Sequence, residues 1–231
     1  MGNDTISLLQ MKIPDFLKGS FGLTDLDMTQ GLSILGFYSI IYVYINLFGG
    51  IYAMLLAAGI ISKEESDKTI EFLLAKPVSR MAIVSNKLLS VLTYVLLFNL
   101  AITITNYIAF SAVQKGDLDM KAFYLFAVGL VLLDLLFAAV GTLMSVFVVK
   151  AKTILPVSIG VVIGTFFLEA LAGMSTKTEF LKYFSPFSYV KASDIMHNHR
   201  IAGIYLIIMA VIIALSIAST YYFYNRKNIS V

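Results

Sequence analysis

Residues 63–87 read KEESDKTIEFLLAKPVSRMAIVSNK, the densest run of charge in a chain that is otherwise nearly free of it. On either side stand long stretches without an ionised side chain, Met28 to Ser62 before it and Leu88 to Gln114 after it. Each exceeds the roughly 20 apolar residues that cross a bilayer as a helix. The charged run is therefore a surface segment strung between two membrane-crossing ones, and that reading decides the class of the fold.

Working outward, Ile201 to Asn225 is a third uncharged run, and Ala122 to Val149 and Thr153 to Gly173 qualify with one acid each, Asp134 and Glu169. The 231 residues are 59% hydrophobic and 13% charged, with a mean hydropathy of +0.87. That is about half the charged share of a soluble domain, too little to cover a soluble surface. Backbone amides in lipid must bond within their own segment, so helices are expected. The runs far exceed the roughly ten-residue alternating strands of a membrane barrel. The expectation is an all-α membrane protein with about five transmembrane helices, near 33–61, 84–112, 122–149, 153–173 and 201–224. An amphipathic leader (1–30) precedes this transmembrane domain (31–231), and a charged segment 62–83 and a longer loop 174–200 interrupt it. Gly49-Gly50 falls inside a first run too long for one straight span, which implies either a kink or a helix that outruns the bilayer.

Other classes are excluded by what is missing. Without cysteine there is no disulfide, thiolate metal site or thiol catalysis. A net charge of +3, spread along the chain, gives no footprint for nucleic acid. The opening MGNDTISLLQ has neither the basic start nor the apolar core of a signal peptide. Ile6 stands where N-myristoylation requires Ser or Thr.

Five spans divide the loops into two sets. The set made of 62–87, Lys150–Lys152 and the tail holds nine basic residues, and the other holds eight over about twice the length. The denser set is expected on the cytoplasmic side. The N-terminus then lies outside, which implies a further span upstream of this sequence. The leader would be an exterior segment with an interfacial stripe of Ile6, Leu9, Ile13, Phe16 and Leu17.

Within the opening stretch, Ile70, Leu73 and Leu74 share one helical face, with Phe72 beside it. Pro77 ends that helix at Lys76, and Ser79 is placed to cap the next. The product is a short amphipathic helix whose apolar knob is ringed by Glu64, Glu65, Asp67, Lys68, Glu71 and Arg80. Physics alone allows two uses, a helix lying in the headgroups or a docking surface for a soluble partner.

The stretch also resembles the cytoplasmic coupling segment of type 2 ATP-binding-cassette (ABC) export permeases. Matching positions are Glu64, Glu65, Thr69, Glu71, Phe72, Leu73, Leu74, Pro77, Val78, Ser79, Arg80 and Lys87, with Lys68 where many relatives carry Gly. LKYFSPFSYVKASDIM, around Tyr183, Ser185, Pro186, Phe187 and Tyr189, is similar to the exterior segment before that family's last span. The likeness runs from about Leu35 to the C-terminus. It implies a six-span permease whose first span is absent here, in a bacterial or archaeal plasma membrane. It also implies pairing with a second, identical or related permease and with separate ATP-binding subunits. ATP and Mg would be bound by those subunits and not by this chain, which has no G-x-x-x-x-G-K-[ST] loop. On this likeness Glu64, Glu65, Thr69, Ile70, Glu71, Phe72, Leu73, Leu74, Pro77 and Arg80 engage the ATPase, and the chain is a transport subunit with no catalytic residues of its own.

Several other constellations carry a chemical and a bland reading. Asp134 sits near mid-span, where an acid is costly and often functional; its rival role is a structural bond to Asn99 or Asn106 on the neighbouring span, or to the absent first span. Glu169, near a span end, is expected to be structural and to reach headgroups or water. Gly160-x-x-x-Gly164 permits close helix approach, within the chain as the first expectation or in a permease dimer as the second. Pro156 is expected in the opening turn of its span. His197-x-His199 has only Asp194 as a further ligand, too few for a metal site, and reads as solvated loop. YYFYNRK reads as an aromatic belt and basic stop. An intramembrane glutamate protease would need Arg where Thr69 stands. An ion-coupled transporter driven through Asp134 is the alternative to ATP-driven export.

Overall fold

The computed structural model describes residues 34–66, 79–113, 119–148, 150–174 and 177–227. Five helices among them are long and apolar enough to cross a membrane. They are α1 (Ile34–Ser66), α2 (Arg80–Val113), α3 (Met120–Phe147), α4 (Ala151–Ala172) and α6 (Gly203–Arg226), with the short α5 (Ala192–Asn198) before the last. Two 3₁₀ turns, Glu179–Tyr183 and Pro186–Val190, lead into α5. Among the described residues there is no strand.

Helix α3 is the axis of the bundle. It is the most buried of the five, and α1, α2 and α6 all pack on it, α1 most extensively. Its buried positions run all round its circumference, from Phe123, Phe126 and Leu130 through Leu133, Phe137 and Ala138 to Ser145 and Val146. Helix α1 buries one stripe against it, made of Tyr38, Tyr42, Asn46, Gly49, Ala53, Ala57 and Ile61, spaced four residues apart except for one step of three at Gly49.

Small residues set how closely the two helices approach. A Cβ on Gly141 would stand 2.8 Å from the Met54 carbonyl oxygen and 2.9 Å from Ala57 Cβ. One on Gly50 would meet the Phe137 ring at 2.8 Å, and one on Gly49 would meet Asp134 Oδ1 at 2.9 Å. Gly49-Gly50 thus seats two α3 side chains, and α1 passes through the pair as one continuous helix of 33 residues. At 1.5 Å per residue that is about 50 Å, well beyond the roughly 30 Å of bilayer hydrocarbon. The described helix is thus long enough to extend beyond the bilayer.

Two expectations are corrected. A Cβ on Gly160 or Gly164 would meet nothing within 4 Å, so neither glycine packs against another described residue of this chain, and of the two uses expected for the pair only contact with a second permease stays open. The close approaches fall instead to Gly49, Gly50, Gly129 and Gly141, which lie in no G-x-x-x-G pattern. Pro156 is not in the opening turn either: α4 begins at Ala151, which places the proline inside the helix and deprives the Lys152 carbonyl of its helical N–H partner.

Gly141→Ala is expected to push α1 away from α3 and lower stability by about 1–3 kcal/mol, the usual cost of overpacking. Gly160→Ala is expected to be neutral or stabilising by up to about 1 kcal/mol. Thermal aggregation of the detergent-solubilised protein, followed by size exclusion, separates the two.

Candidate functional site

The knob residues Thr69, Ile70, Glu71, Phe72, Leu73, Leu74 and Pro77 lie outside the described residues, as do the Glu65 side chain and the 1–30 leader. The two flanks of the segment are described, and both are fastened. Helix α1 carries Glu64 in its last turn, and the Glu64 carboxylate pairs with Lys87 of α2, closing the base of the segment like a staple. Ser79 caps α2, its Oγ accepting from the Ala82 N–H at 3.2 Å and its carbonyl oxygen from the Ile83 N–H at 3.1 Å. The cap that the sequence pattern implies is thus in place.

From that base, bonds run to the other helices ending at the same level. Arg80 donates to the carbonyl oxygens of Lys227 (2.8 Å) and Asn225 (3.4 Å) at the end of α6. Lys227 donates in turn to the Val146 carbonyl oxygen of α3 at 2.6 Å. Ser62 of α1 donates to the Ser145 carbonyl oxygen at 3.0 Å, and Ser85 of α2 meets the Tyr221 hydroxyl at 2.8 Å. Ile61, Ile83, Val84, Val146 and Tyr224 form an apolar cluster within this ring. Helices α1, α2, α3 and α6 therefore end in one linked plate. Just inside the plate, α2, α3 and α6 enclose an almost wholly apolar groove of about 370 Å³, lined by Leu88, Leu92, Leu135, Ala139 and Ile213.

The mid-span acid stands apart from this plate. Asp134 is fully buried and accepts from Asn99 Nδ2 at 2.9 Å. Asn106, the other partner considered for it, donates instead to the Tyr38 hydroxyl at 2.9 Å. Glu169 faces Lys191 at 3.5 Å, pairing the end of α4 with the loop that precedes α5.

At the opposite end, residues 177–200 fold back over the bundle. Ser185 donates to the Thr165 carbonyl oxygen at 2.8 Å, Phe187 packs on Phe137 and Phe166, and Tyr189 stacks on Tyr205. His199 is not the free loop residue that the sequence reading makes it. In the left-handed conformation (φ 45°) it places Nε2 2.6 Å from Asp119 Oδ2, while Asp119 Oδ1 caps α3 by accepting from the Ala122 N–H at 3.0 Å. The imidazole bond, with the Ala122 N–H behind it, holds the Asp119 carboxyl below the usual carboxylate range. No group of three His, Cys, Asp or Glu side chains among the described residues converges as a metal site.

These features define a polytopic helical membrane protein in which the helix ends flanking the charged inter-helix segment are bonded to the rest of the bundle. The model of the ABC-2 family transporter protein matches residues 3–229, nearly the whole chain, and the chain belongs to that family of ABC-transporter membrane permeases. The match starts well before Leu35 and takes in the leader. Among curated proteins none matches.

Two measurements check this geometry. In a double-mutant cycle, Glu64→Gln and Lys87→Met are expected to couple by about 1 kcal/mol, the upper end for ion pairs that keep contact with water. For Asp119 the sign follows from its lowered folded-state pKa. Its contribution is present above the unfolded carboxyl value of about 3.9 and is lost as pH falls through the folded value. Asp119→Asn keeps the cap and removes the titration, so its Tm is expected to fall less steeply with acid than that of the wild type.

Proposed function

We propose that this chain is the membrane subunit of an ATP-driven exporter and that residues 64–80 are where a separate ATP-binding subunit moves it. The observation that carries the reading is the bracing of the segment's two flanks. Glu64–Lys87 closes its base, and Arg80 ties it to the end of α6 and, through Lys227, to α3. A segment joined to the rest of the chain only by its own backbone would swing freely when pushed. One whose base is bonded to two other helix ends transmits displacement to the spans.

On this reading the braced end faces the cytoplasm, in keeping with its density of Lys and Arg. Ile70, Phe72, Leu73 and Leu74 form the knob that enters a groove of the ATPase, with Glu64, Glu65, Thr69, Glu71, Pro77 and Arg80 around it. ATP and Mg are held by the partner, and a second permease copy, identical or related, completes the membrane domain. The chain lies in the plasma membrane of a bacterium or archaeon.

The test is co-purification from mildly solubilised membranes. An ATPase is expected to accompany the wild type and to be lost from Leu73→Asp/Leu74→Asp, with membrane insertion unchanged. An ATPase retained by the double variant refutes the docking assignment. Transport that survives ATP depletion at a clamped ion gradient would favour the ion-coupled alternative.

A further inference from the structure

Asp134 lies near the middle of α3 with none of its side chain exposed, and its surroundings leave it under-served. Asn99 Nδ2 gives one N–H to Asp134 Oδ2 at 2.9 Å and the other to the Val95 carbonyl oxygen at 3.0 Å. Both amide hydrogens are thereby spent and the amide's orientation is fixed. Asp134 Oδ1 has no hydrogen-bond partner among the described residues, and it stands where a Cβ on Gly49 would approach to 2.9 Å. Nor do the described residues bring any Lys, Arg or His within ion-pair distance. The basic residues of α1, α2 and α3 all lie near the helix ends, at Lys63, Arg80, Lys87 and Lys121.

The same seam carries further oxygens without partners. Asn99 Oδ1 and Asn46 Oδ1 are buried acceptors without a donor, and the Tyr42 hydroxyl, a donor as well as an acceptor, is a neutral O–H buried near them, with Asn46 and Tyr42 on the α1 stripe one and two turns from Gly49. Acceptors therefore outnumber donors at a fully buried carboxyl. A lone carboxylate in such a medium is strongly disfavoured unless a positive charge joins it. One acid among neutral oxygens matches a single positive charge; a divalent ion would call for several carboxylates.

We propose that Asp134, with Asn99 beside it, binds a monovalent cation in the middle of the bundle, either a proton or a sodium ion, and that this cation joins α1, α2 and α3 at their polar seam. The titratable groups on the helices around it are few. Helix α1 brings Tyr38 and Tyr42 to the seam, the tyrosines of α2 (Tyr94 and Tyr107) are exposed, and Glu169 of α4 faces Lys191. Between its terminal turns α6 carries no charged residue. The inference does not rest on the ATPase reading, because a docked or undocked segment 64–80 leaves the same carboxyl to be neutralised.

The experiment uses the full chain in proteoliposomes, as wild type, Asp134→Asn and Gly49→Ala. Infrared spectra are taken with and without ¹³C-aspartate, and Tm is measured in sodium against choline at equal ionic strength. For a proton, the wild type at neutral pH shows a carboxylic-acid C=O band that shifts with ¹³C-aspartate. Asp134 is the sole aspartate inside the five described spans, so the label assigns the band even if Asp134→Asn fails to fold. For sodium, that band is absent and the wild-type Tm rises saturably by about 2–4 °C, a rise that Asp134→Asn loses. Gly49→Ala, which crowds Oδ1, is expected to shift the band or raise the sodium midpoint. A wild type with no carboxylic-acid band and a Tm indifferent to sodium overturns the proposal.

Discussion

The bundle depends on how closely α1 can lie against α3. In lipid, apolar side chains gain nothing from leaving one greasy surroundings for another, so helices associate through tight van der Waals contact and the few polar bonds they share. At Gly50 and Gly141 the chain removes the Cβ that would hold the helices apart, and Met54, Ala57 and Phe137 fill the contact. Gly129 does the same toward the loop end, where the Tyr42 hydroxyl lies against its backbone and Val190 is 3.4 Å from where its Cβ would be. Once α1 is seated, α2 and α6 have a two-helix core to pack on, and the 177–200 segment has a surface on which to lay Phe187 and Tyr189.

The same closeness makes Asp134 a constraint as well as a residue. Because α1 presents Gly49 there, the carboxyl sits in the helix–helix contact and cannot turn to lipid or water. Its single bond to Asn99 recruits α2 to the pair. One acid thus touches all three helices of the seam, and its charge state is coupled to their packing. The braced plate at the helix ends works differently. Its bonds end largely on backbone carbonyls, at Ser145, Val146, Asn225 and Lys227, which depend on the backbone and tolerate change in the side chains they come from.

The number of spans was legible because it follows from a requirement the sequence cannot hide: some 20 uncharged residues for each crossing. The cap at Ser79 was legible for a similar reason, since a hydroxyl two residues after a proline and just ahead of a long uncharged run marks a helix start. Helix contacts were not. In a membrane span every face is apolar, so hydrophobic periodicity no longer marks the inward side. Gly160 and Gly164 have the spacing associated with close approach yet face open space, while Gly50 and Gly141, which have no such spacing, make the contact. The Asp119–His199 pair was hidden by a separation of 80 residues. Asn99 could be named as a partner for Asp134 because polar groups are scarce enough in these spans to limit the choice.

That scarcity bears on how the family's architecture can work in this chain. On the proposed coupling, a displacement entering at residues 64–80 would first meet the plate, whose links converge on the ends of α3 and α6. Further along α3 the next polar tie is Asp134–Asn99, and the next pairing beyond it is Asp119–His199, at the start of the same helix. Between these points the contacts are apolar, held by packing at Gly50 and Gly141 and not by directional bonds. Motion of α3 along its own axis would therefore be resisted at three levels, and at two of them the restraint includes a titratable carboxyl. Whatever neutralises Asp134 sets the strength of the middle restraint, and it does so from inside the contact that holds α1 and α3 together.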